Sequence, residues 1–279
     1  MENFNIQRFG NVCSRLVMIR KQEYFRMFLG LMLVFTFFSV LACNPFKLEA
    51  LSDETYKLAF LCKMSGFISV ISAVYVVLSG AMIISDLKTK QQRIDELALP
   101  ATNLEKFVAR AIGSTLLAVV IFLVAFFVAD LLQMLINMLL HKGTFASTTV
   151  MIKDAITKIR ILDIKPSAEE TFMSVSISNI LSFLAPNACY ILGGMLFRKT
   201  AWLKTSLALI ILGIIIFSLF VGYGYLVYKY TDYVVYIPEW IQSKWFSTTL
   251  SIVQIVVCYY FAYRIYCRLQ AINTRWLNI

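Results

Sequence analysis

Six long apolar stretches, separated by short polar connections, constrain this chain more than any other feature. Crossing a hydrocarbon core takes about 20 apolar helical residues, and residues 24–43, 59–84, 108–140, 174–197, 203–228 and 247–267 each supply them. The runs are continuous rather than alternating, which excludes the strands of a membrane β-barrel. Only 15% of the 279 residues are charged, whereas a soluble domain carries about 25%. The expected fold is all-α: a polytopic membrane protein with six transmembrane helices, surrounded by lipid bilayer. Residues 1–22 are expected to form an N-terminal interfacial helix, and residues 23–279 a single transmembrane domain with a cytoplasmic coupling segment at 85–107.

An even number of spans places both termini on one side, and the distribution of Lys and Arg selects it. The N-terminal segment, the 85–110 connection, the 198–204 connection and the C-terminus hold most of the basic residues. The opposite loops balance theirs with Asp and Glu. Both termini are therefore expected to be cytoplasmic. The formal charge of +10 is spread along the edges of apolar runs rather than gathered in an aromatic-interleaved patch, so no nucleic-acid partner is expected.

Ahead of the first span, Phe9, Val12, Cys13, Leu16 and Val17 recur at helical spacing, with Arg8, Asn11 and Arg15 opposite. This pattern describes an amphipathic helix lying in the headgroup plane before the chain turns into the membrane; a frayed basic tail is the alternative. The third apolar stretch would reach about 50 Å as a helix, so it must tilt, kink or project from the bilayer.

Charge and turn chemistry concentrate between the second and third stretches. Pro100 cannot donate a backbone hydrogen bond and moves Leu99 away from helical dihedrals, which splits this region into two helices. Thr102-Asn-Leu-Glu105 reads as a capping box that starts the second. Leu104, Phe107, Val108 and Ala111 then share a face leading into the third span. A push on this element would be transmitted into the bundle, although the box would look the same if it did nothing beyond starting a membrane helix.

The phrase Leu97-Ala-Leu-Pro-Ala-Thr-Asn-Leu-Glu-Lys-Phe107, following a second span and a charged run, resembles one seen in bacterial membrane proteins related to type-2 ABC transporter permeases. The six-span layout and the N-terminal helix are similar to that class as well. The resemblance implies a subunit of an ABC-type exporter in the bacterial cytoplasmic (inner) membrane, paired as a homodimer or heterodimer of permease subunits and driven by a separate ABC ATPase subunit. It further implies that Leu99, Pro100, Thr102, Glu105, Lys106 and Phe107, with Arg8 and Arg15 of the N-terminal helix, contact that ATPase. A membrane scaffold that anchors a cytoplasmic protein would use the same surface.

The chain has no GxxxxGK[ST] loop, so ATP hydrolysis by the P-loop route would have to come from a partner. Its one histidine, His141, leaves no HExxH metalloprotease or multi-histidine zinc set. Glu169-Glu170 lacks the arginine and histidines of an intramembrane protease, and GxSxG is absent. No catalytic residues, metal or cofactor are expected.

Asp130 is the one carboxylate expected near the hydrocarbon region. The fourth stretch is the most polar, with Asn179, Ser182 and Asn187 beside Pro186. These four polar residues either line a translocation path or join helices to one another. Tyrosines and tryptophans from Tyr223 to Trp245 form an interfacial belt. Short amphipathic helices are compatible with 142–172 and 237–241. The six cysteines lack CxxC spacing and read as membrane-buried thiols, with Cys43 and Cys62 the one pair placed to meet on the outer side.

Overall fold

The computed structural model describes residues 4–42, 54–87, 89–140, 147–150, 153, 168–197, 200–231, 240 and 243–269. Side chains are described throughout except at 42, 54–62, 140, 168–179, 182 and 244. The expected Cys43–Cys62 meeting, His141, the Glu169-Glu170 side chains, and most of the proposed helices in 142–172 and 237–241 lie outside the described residues.

Every regular element described is a helix. In chain order these are α1 (Ile6–Ala42), α2 (Glu54–Ala81), α3 (Lys90–Leu97), α4 (Asn103–Leu140), α5 (Ala168–Leu196), α6 (Ala201–Tyr230) and α7 (Lys244–Cys267). Among the described residues, five helical stretches are long and apolar enough to cross a membrane: Ile6–Leu41, Lys63–Ala81, Asn103–Leu139, Ala201–Tyr230 and Trp245–Cys267. The chain is therefore a multi-pass membrane protein. The remaining expected span, 174–197, lies in α5, whose described apolar stretch is the shorter Phe183–Leu196.

One expectation needs correction. The sequence reading puts a turn between an interfacial helix at 1–22 and the first span, but α1 runs unbroken for 37 residues. Lys21-Gln-Glu-Tyr24 contains neither proline nor glycine, so nothing local stops the i to i+4 hydrogen-bond ladder. By contrast, the break expected at Pro100 is present, with α3 ending at Leu97 and α4 beginning at Asn103.

The helices group into two compact units. The first holds Met1–Val12, Val76–Ser114 and Ser176–Ile279; the second holds Cys13–Tyr75 and Thr115–Val175. In the second, α4 turns its small residues inward: Ala118, Ala125 and Ala129 are buried, while Leu116, Val120, Leu123, Val124 and Phe127 are exposed. Lipid tails are as apolar as leucine, so a membrane helix gains little by hiding large apolar side chains and more by close backbone approach. Phe35 of α1 fills the space opposite these alanines, edge-on to Phe122 and Phe126 at 5.2 and 5.6 Å between ring centroids.

In the first unit, glycines bring α2 and α5 together. A Cβ on Gly80 would lie 2.8 Å from the Asn187 carbonyl oxygen, and one on Gly194 would lie 2.9 Å from the Ala81 carbonyl oxygen. Gly193 faces Thr205 of α6, and Tyr190 of α5 shares a 2.8 Å hydrogen bond with Ser206 of α6. Beyond Ser206, α6 is exposed along nearly its whole length.

Gly194→Val should therefore force α2 and α5 apart and cost about 1–3 kcal/mol, the usual penalty of overpacking. Gly213→Ala, where an added Cβ meets nothing within 4 Å, should be neutral or stabilising by up to about 1 kcal/mol through helix propensity. Thermal unfolding of the two variants in detergent, followed by helical circular dichroism, checks the contrast.

Candidate functional site

The segment between α2 and α4 is where ionisable side chains gather, and it lies in the first unit. Thr89 caps α3 through a capping box: its hydroxyl accepts from the Gln92 backbone N–H at 3.3 Å, and the Gln92 side chain accepts from the Thr89 N–H at 3.0 Å. A second box starts α4. Thr102 Oγ1 accepts from the Glu105 N–H at 3.2 Å, and Glu105 Oε2 accepts from the Thr102 N–H at 2.9 Å, as the sequence predicts.

Glu105 does more than close its own helix. Its other oxygen accepts from the Asn5 backbone N–H at 2.7 Å and pairs with the Arg8 guanidinium at 3.4 Å. Asn5 immediately precedes α1, whose first N–H groups have no partner within the helix. One fully buried carboxylate thus caps two helix N-termini, where the backbone dipoles favour negative charge.

Arg110, one turn further along α4, holds the segment together and is 1% exposed. Its two terminal nitrogens donate to both oxygens of Asp86 at 2.7 and 2.9 Å, and its Nε donates to Glu96 at 2.9 Å. Nη1 also donates to the Ile83 carbonyl at 3.3 Å. The Tyr266 hydroxyl of α7 donates to the same Glu96 oxygen at 2.7 Å. Lys106 is buried, and its Nζ donates at 2.9 Å to the Glu96 carbonyl, which also accepts from the Leu99 N–H at the C-terminal end of α3. Asp86, Glu96, Arg110 and Lys106 balance in charge. Burial raises the cost of ionising Glu96, but the Arg110 hydrogen bond and charge, with the Tyr266 hydroxyl, outweigh it and hold the carboxyl below its ordinary range.

Phe107 is buried against Tyr263 and Tyr266, with ring centroids 5.5 and 5.9 Å apart. Leu99 and Thr102 are half-buried, and Pro100 is exposed. Arg8 is half-buried beside Glu105, whereas Arg15, also half-buried, belongs to the second unit. A cavity of about 20 Å³ bordered by Glu96, Lys106 and Tyr266 has room for one water-sized molecule.

The residues expected along a path are used differently. Asp130 accepts from the Ser147 and Thr149 hydroxyls and from the Thr148 and Thr149 backbone N–H groups, at 2.6–3.1 Å. It caps the turn that begins at Thr148. Asn187 is fully buried, and its amide donates to the Val76 carbonyl at 3.2 Å and to Ser79 Oγ at 3.1 Å, joining α5 to α2. The side chains of Asn179 and Ser182 lie outside the described residues.

Sequence reading passed over Thr89, Asp86, Glu96, Arg110 and Tyr266. Signals existed for two of them: Thr89-Lys-Gln-Gln92 fits a capping box, and an arginine at the start of an apolar helix needs a partner. Nothing local pointed to Tyr266, which is 170 residues from Glu96. No protein-family model, curated protein or solved structure matches this chain.

Arg110→Met should destabilise the protein by about 3–5 kcal/mol, because it strands two buried carboxylates. Combining it with Glu96→Gln should cost less than the sum of the single changes, a coupling readable from a double-mutant unfolding cycle. Because the folded-state pKa of Glu96 is depressed, its stabilisation is complete above its unfolded value of about 4.3. It is lost as pH falls through the depressed value. Unfolding temperature should therefore drop on acidification below about pH 4, and less steeply in Glu96→Gln.

Proposed function

We propose that this chain is a membrane-spanning permease-type subunit of an ABC-type exporter in a bacterial cytoplasmic membrane, driven by a separate cytoplasmic ATPase subunit. In this reading it crosses the membrane six times, keeps both termini in the cytoplasm and pairs with a second permease subunit. Support for six crossings comes from the helix ends that meet in the first unit. Asn5 and Arg8 at the start of α1 touch Glu105 at the start of α4. Arg110 of α4 reaches Ile83 and Asp86, just past the end of α2. Ile83 packs in one cluster with Ile191 and Met195 near the end of α5 and with Tyr266 near the end of α7. Thr205 near the start of α6 faces Gly193. Helix starts and helix ends alternating at one pole are what six antiparallel crossings require, with α5 counted as a span.

The observation that carries the reading is the anchoring of α3. Arg110 and Lys106 fix this short capped helix to the start of α4, while Ile94, Leu97 and Leu104 remain 39–45% exposed beside exposed Pro100. A partner pressing on these apolar side chains would move α4 through a buried ion pair rather than through a slack loop. Glu105, Lys106 and Phe107 then serve as the support beneath the surface, and Ile94, Leu97, Pro100 and Leu104 form the contact.

Leu97→Asp and Ile94→Asp should abolish co-purification with a candidate P-loop ATPase that the parent chain retains, while leaving the unfolding temperature within a few degrees of the parent. Undiminished association in both variants overturns the contact.

A specific observation favours the scaffold reading, in which the same surface anchors a cytoplasmic protein without transport. Asp130 and Asn187 are both engaged in internal hydrogen bonds rather than presented to a solvated path. Water-soluble methanethiosulfonate labelling of Asn187→Cys separates the two. An exporter should expose the thiol in the presence of ATPase and ATP, and a scaffold should keep it protected.

A further inference from the structure

The first unit holds a pair of cysteines that neither the ion-pair network nor the proposed coupling surface uses. Cys189 of α5 and Cys258 of α7 place their sulfurs 3.7 Å apart, which is van der Waals contact across two helices, and both are free thiols. Gln254, one turn before Cys258 on α7, donates its side-chain amide to the Cys189 sulfur at 3.0 Å. The two thiols therefore differ. Cys189 is half-buried and receives an N–H donor that would stabilise negative charge as it develops on sulfur, while Cys258 is 8% exposed and lies behind it.

Packing alone does not account for Gln254. It is an exposed amide on an apolar helix whose neighbours Val253, Val256 and Val257 are exposed valines. A polar side chain on a lipid-facing surface is costly unless it finds a partner, and here that partner is a sulfur. The approach to Cys189 is thus lined by lipid-facing residues, and a reagent reaching it would arrive through the hydrocarbon phase.

We propose that Cys189 and Cys258 are a reversible dithiol, oxidised by apolar organic hydroperoxides, that staples α5 to α7. The Cys189 sulfur attacks the terminal oxygen of the hydroperoxide and the O–O bond breaks. The departing alkoxide takes up the proton that the Cys189 thiol gives up and leaves as an alcohol, and Cys189 becomes a sulfenic acid. The Cys258 sulfur then attacks Cys189, the S–O bond breaks, an S–S bond forms and the hydroxyl leaves with the Cys258 proton as water. Two thiols lose two electrons in all, and the hydroperoxide gains them. Bond formation brings the sulfurs from 3.7 Å to about 2.05 Å. A dithiol reductant reverses the step by exchange.

The test uses the full chain in lipid nanodiscs with Cys13, Cys43, Cys62 and Cys267 replaced by Ser, which leaves only the pair. Cumene hydroperoxide should abolish maleimide labelling of both thiols under denaturing conditions and give a monomer lighter by two hydrogens. Dithiothreitol should restore labelling. In Cys258→Ser the reaction should stop at a sulfenic acid on Cys189 that dimedone traps. In Cys189→Ser, Cys258 should stay reduced. Gln254→Leu should slow disulfide formation several-fold. The same series with Ala in place of Ser guards against a folding defect. Full labelling of both thiols after oxidation, or dimedone adducts on Cys258 in place of Cys189, overturns the proposal. Faster oxidation by hydrogen peroxide than by cumene hydroperoxide overturns the approach from the lipid side.

Discussion

The first unit depends on one buried charge. Arg110 sits at 1% exposure near the start of a long apolar helix, where an unpaired guanidinium would cost several kcal/mol. Meeting that cost requires Asp86 from the end of α2 and Glu96 from α3, and Glu96 in turn draws in Tyr266 from the far end of the chain. The charge thereby specifies which helix ends must meet. Ion pairs of this kind add little net stability when correctly made and much instability when broken.

Away from that network, packing follows the logic of a bilayer rather than that of water. Small residues face inward and large ones outward, as along α4, because burying leucine from lipid gains almost nothing. Backbone approach at Gly80 and Gly194, ring contacts at Phe35 and the amide of Asn187 do the joining. Carboxylates recur as helix caps in both units: Glu105 serves the starts of α1 and α4, and Asp130 serves the turn at Thr148. The first N–H groups of a helix have no partner within it, and these carboxylates supply acceptors.

These two patterns bear on function together. The residues that looked most chemical in sequence, Asp130 and Asn187, are occupied in holding helices. The surface turned outward at α3 and the start of α4 mixes exposed Lys90, Gln91, Gln92, Asp95 and Asn103 with exposed Ile94, Leu97, Pro100 and Leu104. In the coupling reading proposed above, the buried Arg110, Lys106 and Glu96 stiffen the segment while the exposed apolar side chains are left for contact.

The sequence by itself determined what local rules govern. Spans are legible because a hydrocarbon core demands about 20 apolar residues. The break at Pro100 is legible because proline lacks a donor, and the Thr102–Glu105 box because its spacing is fixed by one helical turn. The unbroken passage of α1 through its basic region was not legible, since amphipathic spacing cannot tell a helix lying in an interface from the first turns of one that continues inward. Only the tertiary structure decided that Glu105 also caps α1, that Arg110 joins Asp86 to Glu96, that Tyr266 closes the group, and that Cys189 meets Cys258. Each of these contacts joins different elements of the chain, up to 170 residues apart, and periodicity along a single helix carries no information about which helix lies beside it.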